Sequence, residues 1–226
     1  MSLEKIVALV PMRHDSVRVP GKNYRPIAGK PLYHHILETL LACPEITQVV
    51  VDTDSPVILE GLAKDFPTVT ALVRPEHLRA DTIPTNEILM HDTALAPADL
   101  YLQTHSTNPL LRSGTISAAI SALKDGFPAY DSLFGVTRLQ TRLWDELGRA
   151  INHNPAVLLR TQDLPPIYEE NSCIYLFTRE TLVQKRNRLG DRPLMFEIPA
   201  EEAWDIDEEI DFTVADVLLR ARKETQ

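Results

Sequence analysis

Cysteine is nearly missing from this 226-residue chain. The two copies, Cys43 and Cys173, stand far apart and outside any CxxC spacing. That excludes a disulfide framework and a cysteine zinc site, and it leads us to expect a cytoplasmic protein. A basic excess is missing as well: the formal charge is -9. The broad cationic face that nucleic acid or an anionic membrane requires is therefore not supplied. No apolar run is long enough to span a bilayer, and the N-terminal segment Ile6–Val10 is short and opens onto charge rather than a cleavage signal. The glycine-rich phosphate motifs GxxxxGK[ST] and GxGxxG do not occur. Internal repeats and low-complexity tracts are also lacking, so neither a solenoid nor a disordered chain is expected.

What is present describes an ordinary globular protein, 44% hydrophobic and 24% charged, long enough to bury its own core. Short apolar runs alternate with longer amphipathic ones. Strands are expected at Ile6–Val10, Gln48–Val51, Val69–Val73, Leu100–Gln103 and Leu133–Val136. Helices are expected near Leu32–Ala42, Pro56–Phe66, Asn86–Ala94 and Thr115–Lys124. This is the rhythm of an α/β fold, a mainly parallel twisted sheet flanked by helices. Ligands of such sheets bind beyond the strands' carboxyl ends, which directs attention to the loops after Val10, Val51, Val73 and Gln103. The rhythm lapses over residues 138–170, where we expect an inserted arm. Residues 1–137 and 171–226 then form the α/β domain. A further strand is expected at Cys173–Phe177 and a helix over Glu208–Arg222, with Ile210, Val214, Val217, Leu218 and Ala221 forming its buried face.

Charge is unevenly placed. Arg13, Arg18, Lys22, Arg25 and Lys30 face the single acid Asp15 in one stretch, whereas Glu197–Asp211 holds eight acids and no Lys or Arg. Such segments suit two halves of a site for a metal bound to a polyphosphate. A turn at Pro20-Gly21 would bring Arg13 and Lys22 together on triphosphate oxygens, although charge alone fits a solvated basic loop equally well. An extended Asp205-Ile206-Asp207 would point both carboxylates to one side, about 7 Å apart, where they could share one Mg²⁺. The same acids would also suit the N-terminus of the helix that follows.

The pattern Arg13-x-x-Ser16-x-Arg18-x-Pro20-x-Lys22-Asn23, followed by Ile27-Ala28-Gly29-Lys30-Pro31-Leu32, resembles the N-terminal signature of CMP-sugar-acid synthetases. The acylneuraminate branch usually has lysine after the serine, where this chain has Val17 and then Arg18. The form Ser-x-Arg-x-Pro-Gly-Lys is closer to the keto-deoxyoctulosonate branch. Further segments are similar to the acylneuraminate cytidylyltransferases in family order. They are Arg74-Pro-Glu-His-Leu-Arg-Ala-Asp81-Thr82, Leu102-Gln103 with Thr107-Asn-Pro-Leu-Leu-Arg112, Arg160-Thr-Gln-Asp-Leu-Pro, Asn171-Ser-Cys-Ile-Tyr175, and Asp205-Ile-Asp207 ahead of Asp211-Phe212. Ser172 stands where the family has glycine.

The resemblance implies a nucleotidyltransferase that joins CMP from CTP to a 2-keto-3-deoxy sugar acid and releases pyrophosphate. It implies Mg²⁺, or Mn²⁺, on Asp205 and Asp207. Arg13, Ser16, Arg18, Lys22 and Asn23 would serve the phosphates, with Arg13, Lys22 and Asp207 carrying the catalysis. Arg74 and Asp81 would serve the base or organise the nucleotide loop, and Gln103, Arg160 and Asn171 the sugar. For Arg160 an intrachain pair with Asp163 or Glu169 is the alternative. The resemblance also implies a homodimer joined through the inserted arm. His34, His35, His105 and His153 read as ordinary polar residues, since no metal-ligand spacing accompanies them. A keto-deoxyoctulosonate cytidylyltransferase, another sugar nucleotidyltransferase and a non-catalytic nucleotide-sugar sensor are the other readings.

Overall fold

The computed structural model describes residues 3–16 and 18–224. Val17, the departure noted above, lies outside the described residues. The chain opens with β1 (Ile6–Met12), whose side chains are almost wholly buried on both faces, as a central parallel strand requires. A short hairpin of β2 (Pro26–Ile27) and β3 (Lys30–Pro31) leads into α1 (Leu32–Leu41). Then come β4 (Ile46–Thr53), α2 (Pro56–Asp65), β5 (Thr70–Val73), α3 (Thr85–Leu95), β6 (Leu100–Gln103) and α4 (Ser113–Gly126). The Ser55 side chain caps α2 by accepting from Ile58 N at 3.3 Å, and Pro56 supplies the fixed φ of a first helical turn. The second half holds β7 (Ser132–Leu139), β8 (Ile167–Phe177), α5 (Arg179–Lys185), β9 (Pro193–Glu197) and α6 (Glu209–Glu224).

The large sheet has the order β5-β4-β1-β6-β8-β7-β9. β1 is parallel to β4 and β6, β4 to β5, and β7 to β9, while β8 runs antiparallel to both β6 and β7. Alternate residues separate two cores. On one face Ile6, Ala8 and Val10 pack with Ile36 and Leu40 of α1, Leu62 of α2 and Ile120 of α4. On the other, Val7, Leu9 and Tyr101 pack with Leu89 of α3 and Leu182 of α5.

α6 leaves the sheet and closes a third cluster with the segment after β1, joining Phe212, Ala215 and Leu219 to Val19, Ile27 and Leu32. This corrects the expected face. Ile210 and Val217 are exposed at 63% and 60%, and the buried stripe is Phe212, Ala215, Leu219. The stripe is set by what the helix packs on, and its i, i+3, i+7 spacing fits a narrow contact with a loop. α5 and β9 did not stand out in the sequence. The sheet takes in residues up to Leu139 and from Ile167, so the segment that leaves it is 140–166. No described helix is long and apolar enough to cross a membrane.

Candidate active site

Beyond the carboxyl ends of β1, β5 and β6 lies a cavity of about 310 Å³. Its walls come from the segment after β1 (Arg13, Ser16, Arg18, Lys22), from the segment after β5 (Arg74, Asp81) and from His105–Thr107 after β6. The loop after β1 is braced from within. Asn23 Nδ2 donates to Arg13 O at 2.7 Å, and Ser106 Oγ donates to Asn23 Oδ1 at 2.7 Å, so Asn23 is a strut between two walls. Ser16 Oγ accepts from Val19 N at 3.4 Å, and Gly21 takes the left-handed conformation the turn needs, with φ 65°.

The basic and acidic segments meet at the cavity edge. Arg18 Nη2 donates to Asp207 Oδ1 at 2.7 Å, and Lys22 Nζ donates to Ile206 O at 2.5 Å and lies 3.7 Å from Asp207. Arg25 holds both oxygens of Glu209 at 2.6 and 2.7 Å, and its guanidinium lies 4.3 Å from the centre of the Phe212 ring. Arg13 pairs with Asp81 across the cavity. Ile206 is buried in the third cluster, and its neighbours Asp205 and Asp207 both line a second cavity of about 440 Å³ with Glu169, Glu170, Asn171 and Ser172. Burial pushes the Asp205 carboxyl up, against the hydrogen bond of Thr107. Its Oδ1 is buried with no hydrogen-bond partner. An orphaned carboxylate oxygen beside a second carboxylate is the hard oxygen donor set that Mg²⁺ takes. Asp211 Oδ2 accepts from Asp207 N and Glu208 N at 3.0 and 2.8 Å, which fixes the turn that presents the pair.

Arg74 is 1% exposed and anchored by its Nε on the fully buried Asp52, while its Nη2 donates to Asp52 O at 3.2 Å. Its Nη1 has no partner. Asp92 of α3 faces Asp52, and burial first, then the Asp52 charge, lifts its carboxyl to about 8. That favours the protonated form at neutral pH, with the carboxyl turned to Asp52, whose Oδ2 has no other partner. Asp52, Asp92 and His91 form the one group of three among the described residues whose ligand atoms could share a metal ion. The guanidinium already on Asp52 would oppose a cation there. Asp52 and Asp92 were not found from sequence, although an acid at the end of a buried parallel strand was a usable signal.

Gln103 is fully buried. Its Nε2 donates to Thr104 O at 3.2 Å and to His105 Nε2 at 2.9 Å, and its Oε1 accepts from Arg188. His105, read as an ordinary residue, lines the first cavity, and burial together with the charges of Arg188 and Lys22 pushes its pKa down to about 4. Asn171 braces β8: Nδ2 donates to Thr137 Oγ1 at 3.1 Å and Oδ1 accepts from Cys173 N at 3.2 Å. Ser172 has φ 56°, the left-handed conformation that glycine adopts freely. Arg160 grips Asp163 in its own turn, at 2.7 and 3.1 Å, and lines neither cavity. Of the residues expected from sequence, the structure brings Arg13, Ser16, Arg18, Lys22, Asn23, Arg74 and Asp81 to the first cavity and Asn171, Asp205 and Asp207 to the second, while Gln103 and Arg160, expected beside Asn171 on the sugar, line neither.

The profile of the family described as Cytidylyltransferase matches residues 7–215. A CMP-N,N'-diacetyllegionaminic acid synthase of Legionella pneumophila is 28% identical over 97% of this chain and 98% of its own. An N-acylneuraminate cytidylyltransferase of Oncorhynchus mykiss is 28% identical over 93% of this chain, which spans about half (49%) of that longer relative. A solved CMP:2-keto-3-deoxy-manno-octonic acid synthetase complexed with CTP shares the fold, with a TM-score of 0.72 at 18% identity over 96% of this chain and 99% of that one.

Proposed function

The chain belongs to the cytidylyltransferase family, and from that we propose that it transfers CMP from CTP to a 2-keto-3-deoxy sugar acid of the acylneuraminate kind, releasing pyrophosphate. The observation that carries this reading is the meeting of Arg18 and Lys22 with Asp207 where the two cavities adjoin. The first cavity takes the nucleotide, with Arg74 and Asp81 toward the base and Arg13, Arg18 and Lys22 toward the phosphates. Asp205 and Asp207 would hold Mg²⁺ or Mn²⁺, which when bound offsets charge on the transferring phosphate. The oxygen of the sugar's anomeric hydroxyl bonds to the α-phosphorus, its proton leaving to water, as the bond to the pyrophosphate oxygen breaks. Asn23 and Ser16 set the loop, and the cations stabilise the equatorial oxygens and the leaving group.

The relatives' names support this class of acceptor, and retention of both aspartates favours an enzyme over a sensor, because binding alone does not need a metal pair. The loop form Ser16-x-Arg18-x-Pro20-Gly21-Lys22 favours a keto-deoxyoctulosonate acceptor as the second reading. Two buried free thiols suit a cytoplasmic setting, and the arm over residues 140–166 suits a homodimer.

The test is pyrophosphate release with each of four nucleoside triphosphates and a panel containing N-acetylneuraminate, a legionaminic acid and 3-deoxy-manno-octulosonate, with Mg²⁺ or with excess chelator. CTP with a sugar of the acylneuraminate kind and metal is expected to give turnover. Release only with 3-deoxy-manno-octulosonate would establish the second reading, and binding of CTP without turnover of any acceptor would establish a sensor.

A further inference from the structure

A sugar acid brings a carboxylate, yet the second cavity is lined by Glu169, Glu170, Asp205, Asp207 and Asp211. A carboxylate entering beside them needs a cation. Arg18 and Lys22 are given to the phosphates in the reading above, and Arg160 pairs with Asp163 in its own turn away from both cavities.

Arg188, beyond the end of α5, is engaged differently. Its guanidinium lies 3.4 Å from the centre of the Tyr175 ring, and its Nη1 donates to Gln103 Oε1. None of the ion pairs within 4 Å among the described residues includes it. A guanidinium has five N–H donors in a planar fork, and one partly withdrawn from water without a carboxylate on that fork is prepared for an anion.

Arg188 does not itself line either cavity, but its two supports hydrogen-bond residues that line each of them. Gln103 Nε2 donates to His105 on the wall of the first, and the Tyr175 hydroxyl donates to Glu170 and lies 3.3 Å from Ser172 Oγ on the wall of the second. Gln103, fully buried with both N–H groups used and its oxygen on Arg188, therefore aims the guanidinium rather than meeting a substrate itself.

We propose that Arg188 receives the carboxylate of the acidic sugar, with Gln103 and Tyr175 as the residues that position it. This rests on the sugar-acid reading above. The experiment is steady-state pyrophosphate release with CTP and whichever sugar acid of the panel the wild type uses, compared with the neutral carboxamide of that sugar. Arg188→Gln is expected to lower kcat/KM for the acid about a hundredfold while the KM for CTP stays within about twofold. Arg188→Lys should recover part of the loss, since it restores charge without the fork. Wild type should lose on the carboxamide about what Arg188→Gln loses on the acid, and Arg188→Gln should discriminate little between the two. An unchanged sugar KM in Arg188→Gln, or an equal loss on acid and carboxamide, would overturn the assignment while leaving the enzyme reading intact. Absence of wild-type turnover with every sugar acid would remove both.

Discussion

Arg18 and Arg74 border the same cavity, and burial gives them opposite freedoms. Arg18 pairs with Asp207 in the open, at 60% and 47% side-chain exposure, so the pair contributes about 0–1 kcal/mol and can exchange for a phosphate. Arg74 and Asp52 are sealed, and leaving either charge alone costs about 3–5 kcal/mol, which fixes the guanidinium in place. Arg13→Ala, at 41% side-chain exposure, should weaken use of CTP at least tenfold while unfolding free energy changes by about 0.5 kcal/mol or less. Lys22→Ala should weaken it likewise with a larger stability loss of about 1–2 kcal/mol, because its side chain is 11% exposed and donates to Ile206 O. Normal CTP saturation in both would make the loop a solvated one. Asp205→Ala and Asp207→Ala should each lower the metal-dependent rate on the order of a thousandfold with the fold retained. Wild-type turnover in excess chelator would refute the metal role. Asp92 yields a pH prediction. An aspartate titrates near 4 when unfolded and this one at about 8 when folded, so the folded state keeps a proton that the unfolded chain has released. Its contribution to stability therefore falls as pH rises from about 4 to about 8. Asp92→Asn, which still donates to Asp52, should melt above wild type by a margin that widens between pH 5 and pH 8. Parallel melting curves across that range would contradict the buried proton.

The junction of β7 and β8 shows how an element is shaped by one residue. The pairing slips between Phe134 and Val136, and Gly135 lies at the slip. A Cβ there would stand 2.6 Å from Ile198 Cδ1 and 2.7 Å from Asn171 Oδ1. Gly135→Val should destabilise by about 1–3 kcal/mol, with Gly135→Ala milder, and should disturb the Asn171 bonds that brace the second cavity. Thermal melts matching wild type would mean that β8 yields without cost. The β1–α4 portion was legible because buried parallel strands there are continuous apolar runs between amphipathic helices. α5 is only seven residues, too short for a periodic signal, and β9 is a half-buried edge strand that begins at Pro193. Arg13, Lys22 and Asp205-Ile206-Asp207 stood out by local charge and alternation, but these fitted a solvated loop and a helix terminus equally well, and their roles came from the family resemblance. Arg188, Asp92 and His105 were not, because each gains its character from burial against residues distant in sequence.

At the scale of the whole molecule, the outward segment over residues 140–166 lacks a core of its own. Trp144, Leu147, Ile151, Val157, Leu158 and Leu159 are exposed at 51%, 69%, 58%, 52%, 90% and 44%. So many large apolar side chains in one short segment lead us to propose that another protein surface covers it. Small turns hold the arm's shape, such as Asp145 Oδ1 accepting from Arg149 N at 2.8 Å and the isolated bridge Trp144–Ala150, so the side chains are presented in a fixed arrangement. A second copy of this chain is the partner we expect, since a twofold pair buries the same patch twice. Light scattering after size exclusion should return a dimer mass. Leu158→Asp, at the most exposed of these positions, should shift the equilibrium toward monomer, because burying an unpaired carboxylate in the interface costs several kcal/mol. The folding core is untouched by that change, so the monomer should keep its far-UV spectrum and its CTP binding. If Arg160 acts across the dimer on the partner's second cavity, the Leu158→Asp monomer should lose sugar turnover and Arg160→Lys should raise the sugar KM in the dimer. A wild-type monomer active at every dilution would refute the assembly, and a dimer whose sugar KM ignores Arg160→Lys would leave Arg160 as the partner of Asp163 alone.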